Sequence, residues 1–348
     1  MSLEPFGRRE LFAGTGGALL CTLAGQKIFA GEQADVEQLA SEVPVPPKVR
    51  AAERAGSAPA AESTLAGVTG ARREYWIQAE PVRWNIVPTG RDAMMDKKVK
   101  GKTKFDAYAY RPYSPGFAAP LGPATIPGPL LEAETGDAIV VNFRNKIDTP
   151  VTIHPHGVFY SQEMDGAYKG RHTDPGGFVQ KKQVFQYVWE ARPGTEGVWL
   201  YHDHGPMDPL PVHKGLFGPL IVRAAGAPRP TREFNVIFHA FNPTVTGFSR
   251  NFACVNGRSY AGNTPTFESN VGDTVAFNVY AIDNDFHTFH IHGHRWTDET
   301  GTVVDNKTLG PGDSFTAAFT EDNPGRWFYH CHVFSHLHEG MNGWYLVS

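Results

Sequence analysis

The chain repeats itself. Pro129, Glu132, Gly136-Asp137, Asn142 and His154-Pro155-His156-Gly157 recur as Pro265, Glu268, Gly272-Asp273, Asn278 and His290-Ile291-His292-Gly293 at a constant offset of 136 residues. Further on, Gly197-Val198-Trp199-Leu200-Tyr201-His202-Asp203-His204 matches Gly325-Arg326-Trp327-Phe328-Tyr329-His330-Cys331-His332 at an offset of 128, and Gly215, Gly218 and Val222 match Gly340, Gly343 and Val347 at 125. Two copies of one unit lie end to end, so any fold proposed for one must suit the other. A length of 348 residues supports a full core in each.

Inside each copy, Ala138-Ile139-Val140-Val141-Asn142-Phe143 and Thr274-Val275-Ala276-Phe277-Asn278-Val279 read as strands with one face buried. Gly-Asp and Pro-Gly steps punctuate them as turns. Glycine and proline are plentiful and long amphipathic repeats are absent, which favours an all-β sandwich over a helical bundle. The expected domains are residues 72–226 and 230–348, joined by a short Pro-bearing connection. Ahead of them, Arg8-Arg9-Glu10-Leu11-Phe12 and an apolar run to about Leu23 resemble a twin-arginine export signal over residues 1–30, which predicts a periplasmic or secreted protein. Residues 31–71, rich in Ala, Glu and Pro, read as a disordered linker.

The net charge of −4 suggests neither nucleic acid nor an anionic membrane as partner, and no membrane span is expected in the mature chain. Of the three cysteines, Cys21 leaves with the signal and Cys331 sits among metal ligands; Cys254 is left as a buried core thiol, with no disulfide.

Metal-ligand residue types fall in four clusters: His154-Pro155-His156, His202-Asp203-His204, His287-Thr288-Phe289-His290-Ile291-His292, and His330-Cys331-His332-Val333-Phe334-Ser335-His336 with Met341 following. A thiolate, imidazoles and a thioether suit a blue-copper centre. On a strand, the histidines flanking Cys331 point away from the cysteine and can serve a second site. Each copy offers four such imidazoles. Eight are too many for one metal and too few for three closed four-coordinate sites, whereas three coppers with open positions fit. His287 lies an odd number of residues before His290, so it turns to the other face and joins Cys331, His336 and Met341.

These four motifs resemble those of the multicopper oxidases, His-x-His-Gly, His-x-His, His-x-x-His-x-His and His-Cys-His-x-x-x-His-x-x-x-x-Met, and they span the folded region from about residue 72 to 348. The resemblance implies two tandem cupredoxin-like Greek-key β-sandwich domains and four coppers per chain. His287, Cys331, His336 and Met341 would hold the type 1 copper, and His154 and His290 the type 2 copper. His156, His202, His204, His292, His330 and His332 would hold the type 3 pair. It further implies laccase-like oxidation of phenols or aromatic amines coupled to four-electron reduction of dioxygen to water. A metallo-oxidase acting on Fe(II) or Cu(I) is the alternative, with a copper nitrite reductase or a copper carrier more remote.

The type 1 positions degenerate in the first copy: His287 aligns with Val151, Cys331 with Asp203 and Met341 with Leu216. The chain is thus similar to the two-domain, or small, laccases with a type 1 copper in the second domain only, which implies a homotrimer with trinuclear sites between subunits. Asp165 is the expected proton donor, preferred to Asp203, which faces away from its neighbouring ligands. Tyr160 is similar to the tyrosine near the cluster in small laccases. His294 and His338 adjoin ligands and are candidates to support them; His172, His213 and His239 receive no role. Asp283, Asp285, Glu321 and Asp322 are possible members of a metal-ion port.

Overall fold

The structure is a computed structural model and describes residues 68–167, 175–205 and 210–348; the export-like segment, most of the expected linker, Cys21 and His172 lie outside them. The first copy supplies β1 (Arg72–Asn85), β2 (Lys104–Tyr113), β3 (Leu131–Glu134), β4 (Ala138–Asn145), β5 (His154–Pro155), β6 (Val184–Glu190), β7 (Gly197–His202) and β8 (Phe217–Arg223). The second supplies β9 (Arg232–Phe241), β10 (Phe252–Val255), β11 (Phe267–Ser269), β12 (Thr274–Ala281), β13 (His287–Ile291), β14 (Asn306–Leu309), β15 (Ser314–Thr320), β16 (Gly325–Cys331) and β17 (Asn342–Val347).

These strands form two sheets per copy. Strand order is β2-β1-β4-β6 and β3-β8-β7-β5 in the first, β10-β9-β12-β15 and β11-β17-β16-β13-β14 in the second. The duplication extends to the ladders. β1 runs parallel to β4 as β9 does to β12, and Leu131 sits opposite Leu220 as Phe267 sits opposite Tyr345.

Each sandwich has its own core, built around Ile139, Val141 and Phe143 in the first and Val275, Phe277 and Val279 in the second. A third apolar cluster joins the copies: Trp84, Ile126 and Phe217 meet Ile237, Phe252, Cys254 and Tyr280. Full burial of each large apolar side chain there contributes roughly 1.5–3 kcal/mol. The expectation of one buried face per central strand is therefore corrected. β4 and β12 are buried almost throughout, and in β12 the second face turns toward the first sandwich, where Ala276 and Asn278 border a cleft with Val198 and Ile221. Arg223, at the end of β8, bridges the junction with charge-assisted bonds to Glu132 at 2.8 Å and Glu233 at 2.6 Å.

The expected linker also ends too late. Thr69 and Gly70 donate to the Gly136 carbonyl and Ala71 to Asp137 Oδ1, so these residues already belong to the first sandwich. Cys254 is buried with no disulfide, 3.1 Å from Ser259 Oγ. Burial pushes its thiol up to about 12, which leaves it unreactive.

Candidate metal centres

Burial alternates along β13. His287, Phe289 and Ile291 turn inward while Thr288 and His290 turn outward, and β16 pairs with it so that Phe289 faces Cys331 and His290 faces His330. Cys331 Sγ lies 3.9 Å from His287 Nδ1 and 3.7 Å from His336 Nδ1. A trigonal first-row ion with bonds of about 2.3 Å to sulfur and about 2.0 Å to nitrogen needs donors roughly 3.8 Å apart, so the set fits one metal.

Met341 is fully buried in the same core, and its carbonyl accepts the Cys331 amide at 3.1 Å. Burial alone would raise the Cys331 thiol, but bonding from His287 and His336 outweighs it and brings the group to about 6. The thiolate that a soft metal requires is thereby favoured. Burial likewise opposes a charge on His287, and Asp283, 3.0 Å from its Nε2, reverses that to about 9. The His336 side chain is 12% exposed against 0% for His287, and Asp285, 69% exposed, reaches to 4.0 Å from His336 Nε2. His336 is thus the open edge of this centre.

A feature not foreseen from the sequence carries His336: a short helix, Phe334–Glu339, closed by Gly340 at φ 111°. The Met341 amide then donates to the His336 carbonyl at 3.0 Å, which locks the two candidate ligands into one turn.

The other eight imidazoles form two quartets. In the first copy His156 Nε2 and His202 Nε2 face each other at 3.0 Å, and the His154 ring centroid lies 5.1 Å from that of His204. In the second, His292 Nε2 and His330 Nε2 are 3.2 Å apart, with His290 5.6 Å from His332 by centroids. Backbone carbonyls hold the opposite ring nitrogens in matching fashion. His154 Nδ1 meets Asp165 O at 2.6 Å and His290 Nδ1 meets Asp305 O at 2.7 Å; His202 and His330 meet Asp203 O at 2.7 Å and Cys331 O at 2.8 Å. Each Nδ1–H is thereby engaged and Nε2 keeps its lone pair for a metal. Burial, reinforced by neighbouring histidines, lowers His156 to about 4, His202 to about 3 and His330 to about 4. Burial thus favours the neutral, ligating form of these three rings.

β5 stops at Pro155, so His156 lies past its strand, yet the two rings of that doublet still converge at 5.4 Å. Gly157, at φ 73°, makes the turn; a Cβ there would fall 2.1 Å from the Trp199 ring. Among the described residues, no ring of one quartet touches a ring of the other. Gly312, Asp313 and Ser314 of the second copy border the cleft at His154, His156 and Tyr160 instead. The second quartet lies beside Phe334, 68% exposed, whose ring is 5.7 Å from His332.

Asp203 stands where the alignment put it. Thr152 N–H donates to Asp203 Oδ1 at 2.6 Å as Thr288 N–H donates to Cys331 Sγ at 3.4 Å, and the Asp203 amide donates to Leu216 O as the Cys331 amide does to Met341 O. Asp165 Oδ1 is 3.2 Å from His154 Nδ1. Tyr160 lies at the rim, its ring 5.9 Å from His154 by centroids, and burial together with Asp165 raises its phenol. His294 is buried against Glu321, and His338 meets Tyr260 only through its backbone carbonyl. His239 accepts the Gly257 amide in the shared core, and His213 lies 3.4 Å from Asn284. Of the four port carboxylates, Asp285 reaches His336, Asp283 is tied to His287, Glu321 is buried, and the Asp322 amide bonds to Glu321.

Comparison with known proteins identifies the family and the fold. Two multicopper oxidase family descriptions match residues 123–226 and 235–348, well over half of the chain together. A probable nitrite reductase-hydroxylamine oxidoreductase fusion protein of Kuenenia stuttgartiensis is 33% identical over 240 residues, 64% of this chain and 28% of that protein. Ferroxidase HEPHL1 of Homo sapiens is 28% identical over 353 residues, 82% of this chain and 30% of that one. The chain thus spans less than a third of the length of these curated relatives. A solved multicopper oxidase superposes with a TM-score of 0.64 at 26% identity, covering 80% of this chain and 89% of its own.

Proposed function

Because this chain belongs to the multicopper oxidase family, which binds copper, we propose that it is a laccase-like oxidase of the two-domain kind. It would couple one-electron oxidation of phenols or aromatic amines to four-electron reduction of dioxygen to two waters. The observation that carries this reading is the placement of Cys331: its sulfur joins His287 and His336 inside, while His330 and His332 on either side of it belong to the outer quartet.

His287, Cys331, His336 and Met341 would hold the type 1 copper. His154 and His290 would hold type 2, and His156, His202, His204, His292, His330 and His332 the type 3 pair. Bound there, copper supplies one-electron redox chemistry and open positions for dioxygen. The chain itself contributes a covalent path of one residue from Cys331 to each neighbouring histidine. Water formation consumes four protons, and Asp165 would pass them inward, a role supported by its position beside His154 and Tyr160.

Since each chain carries two separate quartets, a closed cluster requires the first copy of one subunit to face the second copy of another. Such a contact supports a heterologous ring closed by rotation, and the resemblance to two-domain laccases gives that ring three subunits. The twin-arginine-like leader supports a periplasmic or secreted location. Asp285 beside His336, with Phe286 57% exposed next to it, suits a phenol that loses its proton as it loses an electron. The same carboxylate favours Fe(II) as a second reading, in keeping with the resemblance to proteins named ferroxidases. Asp203, in the place a first-copy thiolate would take, argues against a nitrite reductase.

Copper-loaded protein is expected to carry four coppers per chain, sediment as a trimer and consume dioxygen with a phenol. Asp285→Asn is expected to lower kcat/KM for the true substrate roughly tenfold. Faster turnover of Fe(II) than of any phenol assigns the second reading, and loaded protein without oxygen uptake refutes both.

A further inference from the structure

The second copy buries a polar chain that the first copy lacks. His294, Glu321, Tyr345 and Ser269 are each less than a tenth exposed. His294 Nε2 lies 3.0 Å from Glu321 Oε1, the Tyr345 hydroxyl bonds to Glu321 Oε2, and Ser269 Oγ lies 2.6 Å from that hydroxyl. Glu321 Oε1 also accepts the amides of Asp322 and Asn323 at 3.1 Å.

The ladders identify the counterparts. Glu321 exchanges backbone bonds with Gly272 and Asp273 as Ala191 does with Gly136 and Asp137. Tyr345 and Ser269 occupy the register positions of Leu220 and Ala133, and His294 follows His292 as Val158 follows His156. Val158, Ala191, Leu220 and Ala133 are all part of the first apolar core. The fold therefore packs these four positions without polarity, and a buried carboxylate, costly unless paired, was not needed to build it.

The other end of the chain grips one turn. His294 Nδ1 lies 2.8 Å from the His292 carbonyl oxygen, and Asn323 Nδ2 donates to the Gly293 carbonyl at 3.1 Å. In the first copy Thr195 stands in place of Asn323, and its hydroxyl bonds to Arg192 O instead. The two turns also differ in cover: the His156 ring is half-buried with Gly312 beside it, whereas His292 is exposed. An exposed imidazole whose ring contacts are Phe328 and neighbouring imidazoles depends more on its backbone for its aim.

We propose that the His294–Glu321–Tyr345–Ser269 chain is a positioning device that fixes the His292-Gly293 turn and so aims His292 Nε2 toward His330. This rests on the reading of His292 as a copper ligand. The test grafts the first copy's solution onto the second: His294→Val, Glu321→Ala, Tyr345→Leu and Ser269→Ala together, with Glu321→Gln alone as a second variant. Each is loaded with copper and dialysed against graded chelator, following copper per chain, the blue thiolate absorption and the type 3 absorption; melting of the apo forms is measured separately. The graft is expected to fold and keep its blue absorption, while type 3 copper is released at roughly 10–100-fold lower chelator concentration, and Glu321→Gln is expected to shift release in the same direction. Retention of type 3 copper as in the wild type, equal loss of blue copper, or a graft that fails to fold overturns the proposal; failure to fold would mean the core itself depends on the network. Wild-type protein that never acquires type 3 copper refutes the ligand reading instead.

Discussion

Cys331 is a buried sulfur held toward its thiolate form by two imidazoles and the backbone at Thr288 and Val333, and among the described residues Met341 is the thioether packed into the same core. A weak sulfur donor in that position stabilises oxidised copper, so Met341→Leu is expected to raise the type 1 potential while costing less than about 1.5 kcal/mol of stability, because the two side chains are nearly equal in volume. A redox titration with an unchanged midpoint would remove Met341 from the centre. Side chains of this kind are legible in a sequence because the chemistry they carry is rare and their spacing is rigid. The Asp305 carbonyl that turns His290 was not legible, since any residue supplies a carbonyl and only the fold decides which one arrives.

At the scale of elements, the helix Phe334–Glu339 matters most, and it was missed because six residues between two strands leave no periodic signal. Its closing glycine is constrained twice. Gly340 adopts φ 111°, and a Cβ there would meet Ser259 Cβ at 2.7 Å and Tyr260 N at 2.9 Å. Gly340→Ala is expected to cost on the order of 1–3 kcal/mol and to weaken the blue absorption by shifting His336 and Met341. Chemical denaturation and a visible spectrum check both parts. The strands were legible as strands, but not that their outer faces would be covered, since that depends on how the two sandwiches pack together. The balanced net charge likewise concealed an exposed run at Lys97, Lys98, Lys100, Lys102 and Lys104.

For the molecule as a whole, the buried imidazoles set an acid limit. His156, His202 and His330 titrate near 4, 3 and 4 in the fold against 6.5 unfolded, so below pH 6.5 the unfolded chain takes up protons that the folded chain refuses. Stability of the apo protein is therefore expected to fall as pH drops from 6.5 toward 4 and to be unaffected by these groups above 6.5. Copper competes for the same nitrogens, so the loaded protein should resist over the upper part of that range. Melting curves of both forms test this, and an apo curve flat between those limits would contradict it. The separation of the two quartets has a further consequence. On the reading proposed above, a lone chain would hold two half-sites, and oxidase activity would require the first copy of one chain to meet the second copy of another. Under that reading the amount of working enzyme would follow mass action, rising more steeply than the number of chains and falling on dilution while each chain stays folded.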